Sequence, residues 1–285
     1  MGKIGAILRL TRIEHSVMLV IAVIAAEIIS GGGIPSATIF LLSLITPIFV
    51  SMGAFAINDY FDIKVDRENK KMRPLVTGEI APSEALYITF GSMAIGVAAS
   101  AFINVYCFAI AIFFAAMSLL YSYRLKEILL LGNAYIALSM VIPFVFGSYV
   151  MSAIPSLSVV IISLIVFASG LAREIHGTIR DYRGDKKMRN VKTLPISIGI
   201  KGAAWISLLL YLFAIILSVY LFAYVAPFIL NPIYALLIGI TDLMLLYVGI
   251  GYILRPVQKF YDKTRNISLF AMGLALIAFL LCVLL

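Results

Sequence analysis

Charge is scarce in this chain. Asp, Glu, Lys and Arg make up 13% of its 285 residues, against about 25% in an ordinary soluble domain, and that shortfall excludes a water-soluble globular fold. Cysteine is nearly absent. Cys107 and Cys282 both fall inside apolar runs, with neither metal-ligand spacing nor a disulfide pattern, and they read as small hydrophobes. No cleavable signal pattern is evident, and MGKIGAILRLTRIEHS reads as a short basic amphipathic lead-in. A myristoylation pattern fits poorly because Ala6 stands where Ser or Thr is needed.

Apolar residues fill the space that charge leaves, at 63% of the chain. A bilayer core takes about 20 apolar residues of helix to cross. Nine stretches meet that length: 16–32, 37–60, 83–103, 105–122, 133–151, 156–176, 201–223, 230–254 and 266–285. None alternates as a barrel strand would, so the runs predict helices, whose backbone groups are satisfied within each span. The third and fourth stretches meet at Asn104, and Gly and Pro punctuate others at GGGIPS, SAIPS and APFILNP. The expected fold is an all-α integral membrane protein, nine helices bundled around a central cavity, forming a single domain over 1–285.

The 22 Lys and Arg residues follow a strict pattern. All precede the first run or lie in or beside every second connector thereafter, and the alternate connectors contain none. By the positive-inside rule this predicts a cytoplasmic N-terminus and an outside C-terminus. Topology thus accounts for the net charge of +8 without a nucleic-acid partner. Nothing in the sequence points to an obligatory protein partner.

Two connectors, about 61–82 and 177–200, hold most of the polar character. In NDYFDIKVD, residues 58–66, the four-residue spacing puts Asn58, Asp62 and Asp66 in one stripe on a helix, with Asp59 off it. Three oxygen ligands on a stripe at a helix end suit Mg²⁺, which keeps coordination positions for water or substrate phosphate. Asp181 and Asp185 repeat the spacing in the second connector, and two such stripes on separate helices can face each other across a bundle. Basic residues gather beside them, among them Arg67, Arg73, Lys126 and Lys192. Carboxylates for a metal and cations for a polyanion, next to greasy helices, suggest a diphosphate with an apolar remainder. Anionic lipid headgroups are the competing explanation for the cations, as a solvated helix end is for the acids. Glu27 and Asp242 fall within apolar runs, where ionisable groups are rare; bonding to neighbouring helices accounts for them. His176 reads as a polar helix-end group rather than a proton carrier. An ion-coupled transporter would need its charges near the bilayer midplane on broken helices, and only Glu27 and Asp242 fit that.

NDYFDIKVDRENKKMRP resembles the first signature of the UbiA-type intramembrane prenyltransferases, N-D-x-x-D-x-x-x-D followed by N-K and R-P. DYRGD with a downstream TLP is similar to the second, and YSYRLKE with Gly132–Asn133 to the segment between them. Where family members often carry Lys, Asp and a further acidic residue, this chain has Gly177, Thr178 and Arg180. The resemblance implies prenyl transfer from an isoprenyl diphosphate to a lipophilic acceptor in the cell membrane, with the active site toward the cytoplasm. It implies Mg²⁺ held by Asn58, Asp62, Asp66, Asp181 and Asp185. Arg67, Arg73, Lys126 and Lys192 would bind the diphosphate, and Tyr121 would shield an allylic cation through its ring face; Tyr60 and Tyr123 are the other aromatic candidates. VDRENKKMRP, without a long targeting extension, is similar to archaeal members that alkylate geranylgeranylglyceryl phosphate in ether-lipid synthesis. An aromatic acceptor of quinone synthesis is the alternative.

Overall fold

The computed structural model describes residues 2–188 and 193–284, with side chains described for 2–182 and 193–284. Among the described residues the regular structure is entirely helical. The helices are α1 (Lys3–Thr11), α2 (Ile13–Gly31), α3 (Ala37–Glu68), α4 (Pro74–Thr77), α5 (Pro82–Ala101), α6 (Val105–Tyr123), α7 (Leu131–Met151), α8 (Leu157–Met188), α9 (Leu194–Tyr224), α10 (Pro232–Leu254) and α11 (Gln258–Leu284). A 3₁₀ turn, Leu125–Glu127, joins α6 to α7. Nine of the described helices, α2, α3 and α5–α11, are long and apolar enough to cross a membrane.

Local chemistry sets the boundaries. Asn104 ends the ambiguity between the third and fourth spans: its side chain accepts a hydrogen bond from the Cys107 N–H at 2.9 Å and caps α6. Asn231 caps α10 in the same way. Proline occupies the first turns of α4, α5, α9 and α10, where its missing N–H costs nothing.

Several boundaries differ from the sequence expectation, among them the start of α11 at Gln258 rather than 266. Helix α3 runs on to Glu68 and α8 to Met188, each 32 residues long. The acidic stripes therefore stand on extensions of membrane helices. No Gly or Pro interrupts DYFDIKVDRE, so nothing stops the helix at the membrane edge. Helix α9 likewise begins early, at Leu194, and bends at Gly199, whose φ of +82° is open to glycine.

Helix α2 packs on α3, α7 and α11; α7 on α8, α8 on α9, α9 on α10, and α10 on α11. This ring encloses a cavity of about 580 Å³ lined by α2, α3 and α6–α11. Helix α5 stays outside it, packed on α3 and α6. Two interior prolines shape the wall: Pro47 in α3 and Pro143 in α7 both line the cavity. Each removes an i→i−4 hydrogen bond and pushes its helix off a straight path. At the deep end lie Phe144, Ile165, Ala214, Ile238, Leu276 and Phe279, which belong to one buried apolar cluster.

Close helix approach depends on small residues, as is general in membranes. At Gly147 of α7 an added Cβ would sit 2.5 Å from the Val23 carbonyl oxygen of α2. Gly147→Ala is expected to lower stability by about 1–3 kcal/mol through overpacking, read as an earlier thermal unfolding midpoint in detergent.

Candidate active site

The amphipathic helix α1 lies against the start of the bundle. It buries Ala6 and Leu10 against Ala56, Leu75, Ile80 and Ala85. Lys3 pairs with Glu84 and Arg9 with Glu79. The Arg9 guanidinium and the Thr77 hydroxyl together hold the Glu79 carboxyl below its usual range. A carboxyl so shifted stabilises the docked helix at neutral pH and loses that contribution as pH falls through its folded pKa. Between α1 and α2 the chain turns at Arg12, which has φ +47°. Its guanidinium lies 4.9 Å above the Phe55 ring and 2.8 Å from Asp59.

The α3 stripe is divided by its neighbours. Asn58 lines the cavity mouth, and its amide donates to Asp62 Oδ2 at 3.2 Å. Lys126 Nζ meets Asp62 Oδ1 at 2.6 Å. That lysine sits in the turn before α7, which closes tightly because residue 132 is glycine. A Cβ there would come within 3.0 Å of the Lys126 Cα. Asp66 faces elsewhere: it is buried and paired with Lys71 at 2.9 Å and Arg73 at 2.8 Å. Asp59 is also buried, held by Arg12 and Arg73. Pro74 explains the reach of Arg73. A residue before proline favours extended backbone, and Arg73 has φ −91° and ψ 150°, which carries its side chain back across α3. Arg67 is exposed.

On α8 the series Arg173, Gly177, Asp181, Asp185 advances by four and shares one stripe. Asp181 is 56% exposed and receives two hydrogen bonds from Arg180, both 2.9 Å. Thr178 donates to the Ile175 carbonyl of its own helix. Asp185 is placed in the helix, but its side chain lies outside the described residues, as does all of Lys192. Deeper by two turns, Arg173 and Glu174 both line the cavity.

Of the three tyrosines considered, Tyr121 lines the cavity, stacked on Tyr135 with centroids 4.6 Å apart. Tyr60 and Tyr123 instead line a shallow outer depression beside α5. His176 points away from the cavity, stacked 3.7 Å from Tyr252 and bonded to Ser207 at 2.6 Å. Asp242 lines the cavity at mid-helix and accepts from Ser218 at 2.6 Å, so α9 and α10 are tied there. Glu27 is wholly buried and does not line it.

The cavity follows α3 from Asn58 down to Pro47, about 16 Å at helical rise. Its walls are mainly apolar and its mouth is polar. Among the described residues no three His, Cys, Asp or Glu side chains converge on one point. At the mouth one carboxylate, Asp62, stands between the Asn58 amide, whose nitrogen faces Oδ2, and Lys126 Nζ, which faces Oδ1. Mg²⁺ is commonly held by one or two carboxylates plus substrate phosphates rather than by an all-protein cage. This donor set therefore fits a divalent cation that arrives with a diphosphate.

The residues that composition and spacing did not single out are Arg12, Asp59, Arg173 and Glu174. Only the position of Arg12 at the entry to the first span, and the charge of Arg173 and Glu174 inside an apolar run, signalled them.

The model of the UbiA prenyltransferase family matches residues 19–270. A digeranylgeranylglyceryl phosphate synthase from Archaeoglobus fulgidus is 33% identical over 275 residues, covering 96% of this chain and 94% of that protein. Another, from Methanosarcina mazei, is 35% identical over 238 residues, covering 81% and 78%. A solved structure described as a digeranylgeranylglyceryl phosphate synthase superposes with TM-score 0.84 at 30% identity, covering both chains fully. A UbiA homologue from Archaeoglobus fulgidus, solved bound to GPP and Mg²⁺, has the same fold, with TM-score 0.67 at 22% identity over 96% of this chain and 99% of that one.

Proposed function

Because this chain belongs to the UbiA prenyltransferase family, we propose that it moves a geranylgeranyl group from its diphosphate to the free hydroxyl of geranylgeranylglyceryl phosphate. The product would be the second ether of an archaeal lipid. The observation that carries the reading is the junction at Asn58, where a polar edge of Asn58, Asp62 and Lys126 meets the mouth of a long apolar cavity. A diphosphate suits the first and its prenyl tail the second. The named relatives supply the acceptor.

In this reading Asn58 and Asp62 would hold the cation on the α3 side. Asp66, Asp181 and Asp185 belong to the same acidic ends, and Asp66 acts through its pairing with Arg73. When bound, Mg²⁺ would neutralise diphosphate charge as the C–O bond breaks. Lys126 orients Asp62 and reaches the same anion, with Arg67, Arg73 and Lys192 adding positive potential around it. Tyr121, held face-on by Tyr135, presents a π-face to positive charge at the prenyl C1. The mainly apolar wall keeps water from that carbon. By sequence position, the basic groups outside the spans belong to the segment before α2 and to the connectors that follow α3, α6, α8 and α10, which supports a cytoplasmic mouth and N-terminus.

The test is an acceptor panel with geranylgeranyl diphosphate and purified protein, products read by mass spectrometry. An ether of geranylgeranylglyceryl phosphate is expected; ring alkylation of an aromatic acceptor instead would overturn the acceptor. EDTA is expected to abolish turnover and added Mg²⁺ to restore it. Turnover indifferent to EDTA would remove the metal from the mechanism.

A further inference from the structure

Two anions must be held at once if the acceptor carries its own phosphate, and the cations that touch the α3 carboxylates are already engaged. Lys126 meets Asp62; Arg73 meets Asp59 and Asp66; Arg12 meets Asp59. Arg173 is different. It lines the cavity from α8, and among the described residues its buried Nε has no hydrogen-bond partner and its ion pair is with its neighbour Glu174 at 3.3 Å. Successive helical residues point about 100° apart, yet both side chains line the cavity. They stand where the lining of α8 changes from Ile165, Val166 and Ser169 to charge. One turn toward the mouth is Gly177, where an added Cβ would meet nothing within 4 Å. Among the described residues nothing packs on α8 at that point. Among the described residues two carboxylates line the cavity: Glu174 near the mouth, and Asp242 at mid-helix on Ser218.

The geometry points to Arg173 and Glu174 as the acceptor subsite: Arg173 takes the acceptor phosphate and Glu174 the proton of its attacking hydroxyl. The assignment rests on the acceptor named above. In that molecule the phosphate and the free hydroxyl sit on adjacent glycerol carbons, which matches a cation and a carboxylate side by side. As the hydroxyl oxygen bonds to the prenyl C1, the C1–O bond to diphosphate breaks and its electron pair leaves with the diphosphate. The hydroxyl O–H breaks, and its proton passes to the Glu174 carboxylate. In a mainly apolar cavity that proton needs a positioned acceptor.

The experiment compares wild type with Arg173→Gln, Glu174→Gln and Glu174→Asp, using geranylgeranyl diphosphate and either geranylgeranylglyceryl phosphate or its phosphate-free analogue. Arg173→Gln is expected to raise the acceptor KM roughly 10- to 100-fold, the scale of a lost charge-assisted contact, while the donor KM moves little. That penalty is expected to shrink several-fold on the phosphate-free analogue. Glu174→Gln is expected to slow single-turnover ether formation roughly 100-fold or more, as for a lost general base, with Glu174→Asp recovering part of it. An Arg173→Gln effect that falls on the donor, or is equal on both acceptors, overturns the phosphate assignment. Undiminished ether formation by Glu174→Gln overturns the base. A wild type inactive on this acceptor overturns the acceptor reading, and this subsite with it.

Discussion

Asp62→Ala is expected to lower kcat/KM for prenyl transfer by about a thousandfold while leaving the helical fold intact. The two parts of that expectation have separate causes. Asp62 and Lys126 are each 22% exposed in their side chains, and a solvent-reached ion pair contributes about 0–1 kcal/mol to stability. Losing it moves the unfolding midpoint little. The chemical loss is larger because Asp62 has two duties in the proposed site. It supplies the carboxylate next to Asn58 at the mouth, and it orients Lys126 at 2.6 Å. Removing one preorganised electrostatic group commonly costs about 3–4 kcal/mol of transition-state stabilisation, and here a cation is misplaced with it. Asp62→Asn keeps the shape but not the charge, and should behave nearly as badly. Steady-state kinetics with geranylgeranyl diphosphate, alongside thermal unfolding in detergent, reads both parts. Near wild-type turnover by either variant would remove Asp62 from the site.

Asp62 was legible in the sequence because its signal is local. A four-residue spacing fixes a helical stripe, and the abrupt end of a charge-free run marks the membrane edge. The nine spans were legible for the same reason, since length and hydropathy decide them. What spacing could not show was where each member of the stripe points once other helices arrive. Asn58 and Asp62 look to the cavity mouth. Asp66 turns to Lys71 and Arg73, which lie beyond the end of its own helix. Asp59, one residue off the stripe, is fixed by Arg12 from 47 residues earlier. Arg173 and Glu174 stayed hidden because a charged pair at the end of an apolar run also looks like an interfacial anchor. Only the closed ring of helices shows that both line the cavity. The outer limits of α3 and α8 were misjudged because polar residues suggested a connector, although nothing in their backbone chemistry stops a helix.

Arg73→Met is expected to destabilise the protein by about 3 kcal/mol and to lower activity as well. Asp59 and Asp66 are both 2% exposed in their side chains, and the Arg73 guanidinium touches both. After the substitution Asp59 keeps Arg12 and Asp66 keeps Lys71, so neither acid is wholly abandoned. Asp66 Oδ2, whose ion contact is with Arg73, is left buried alone. Breaking a buried pair from one side costs about 3–5 kcal/mol, and the surviving cations put this case at the low end. The reasoning makes a sharper demand on the double variant. In Arg73→Met with Asp66→Asn, the stranded charge is gone and Lys71, half exposed, can hydrate. The two substitutions should therefore cost less together than their sum, by about 1–2 kcal/mol, the usual range for residues in contact. Strict additivity of the unfolding free energies would mean that Arg73 does not stabilise α3 through Asp66. Activity should not recover with stability, because Arg73 is also proposed to add positive potential around the anion that Asp62 and Lys126 hold.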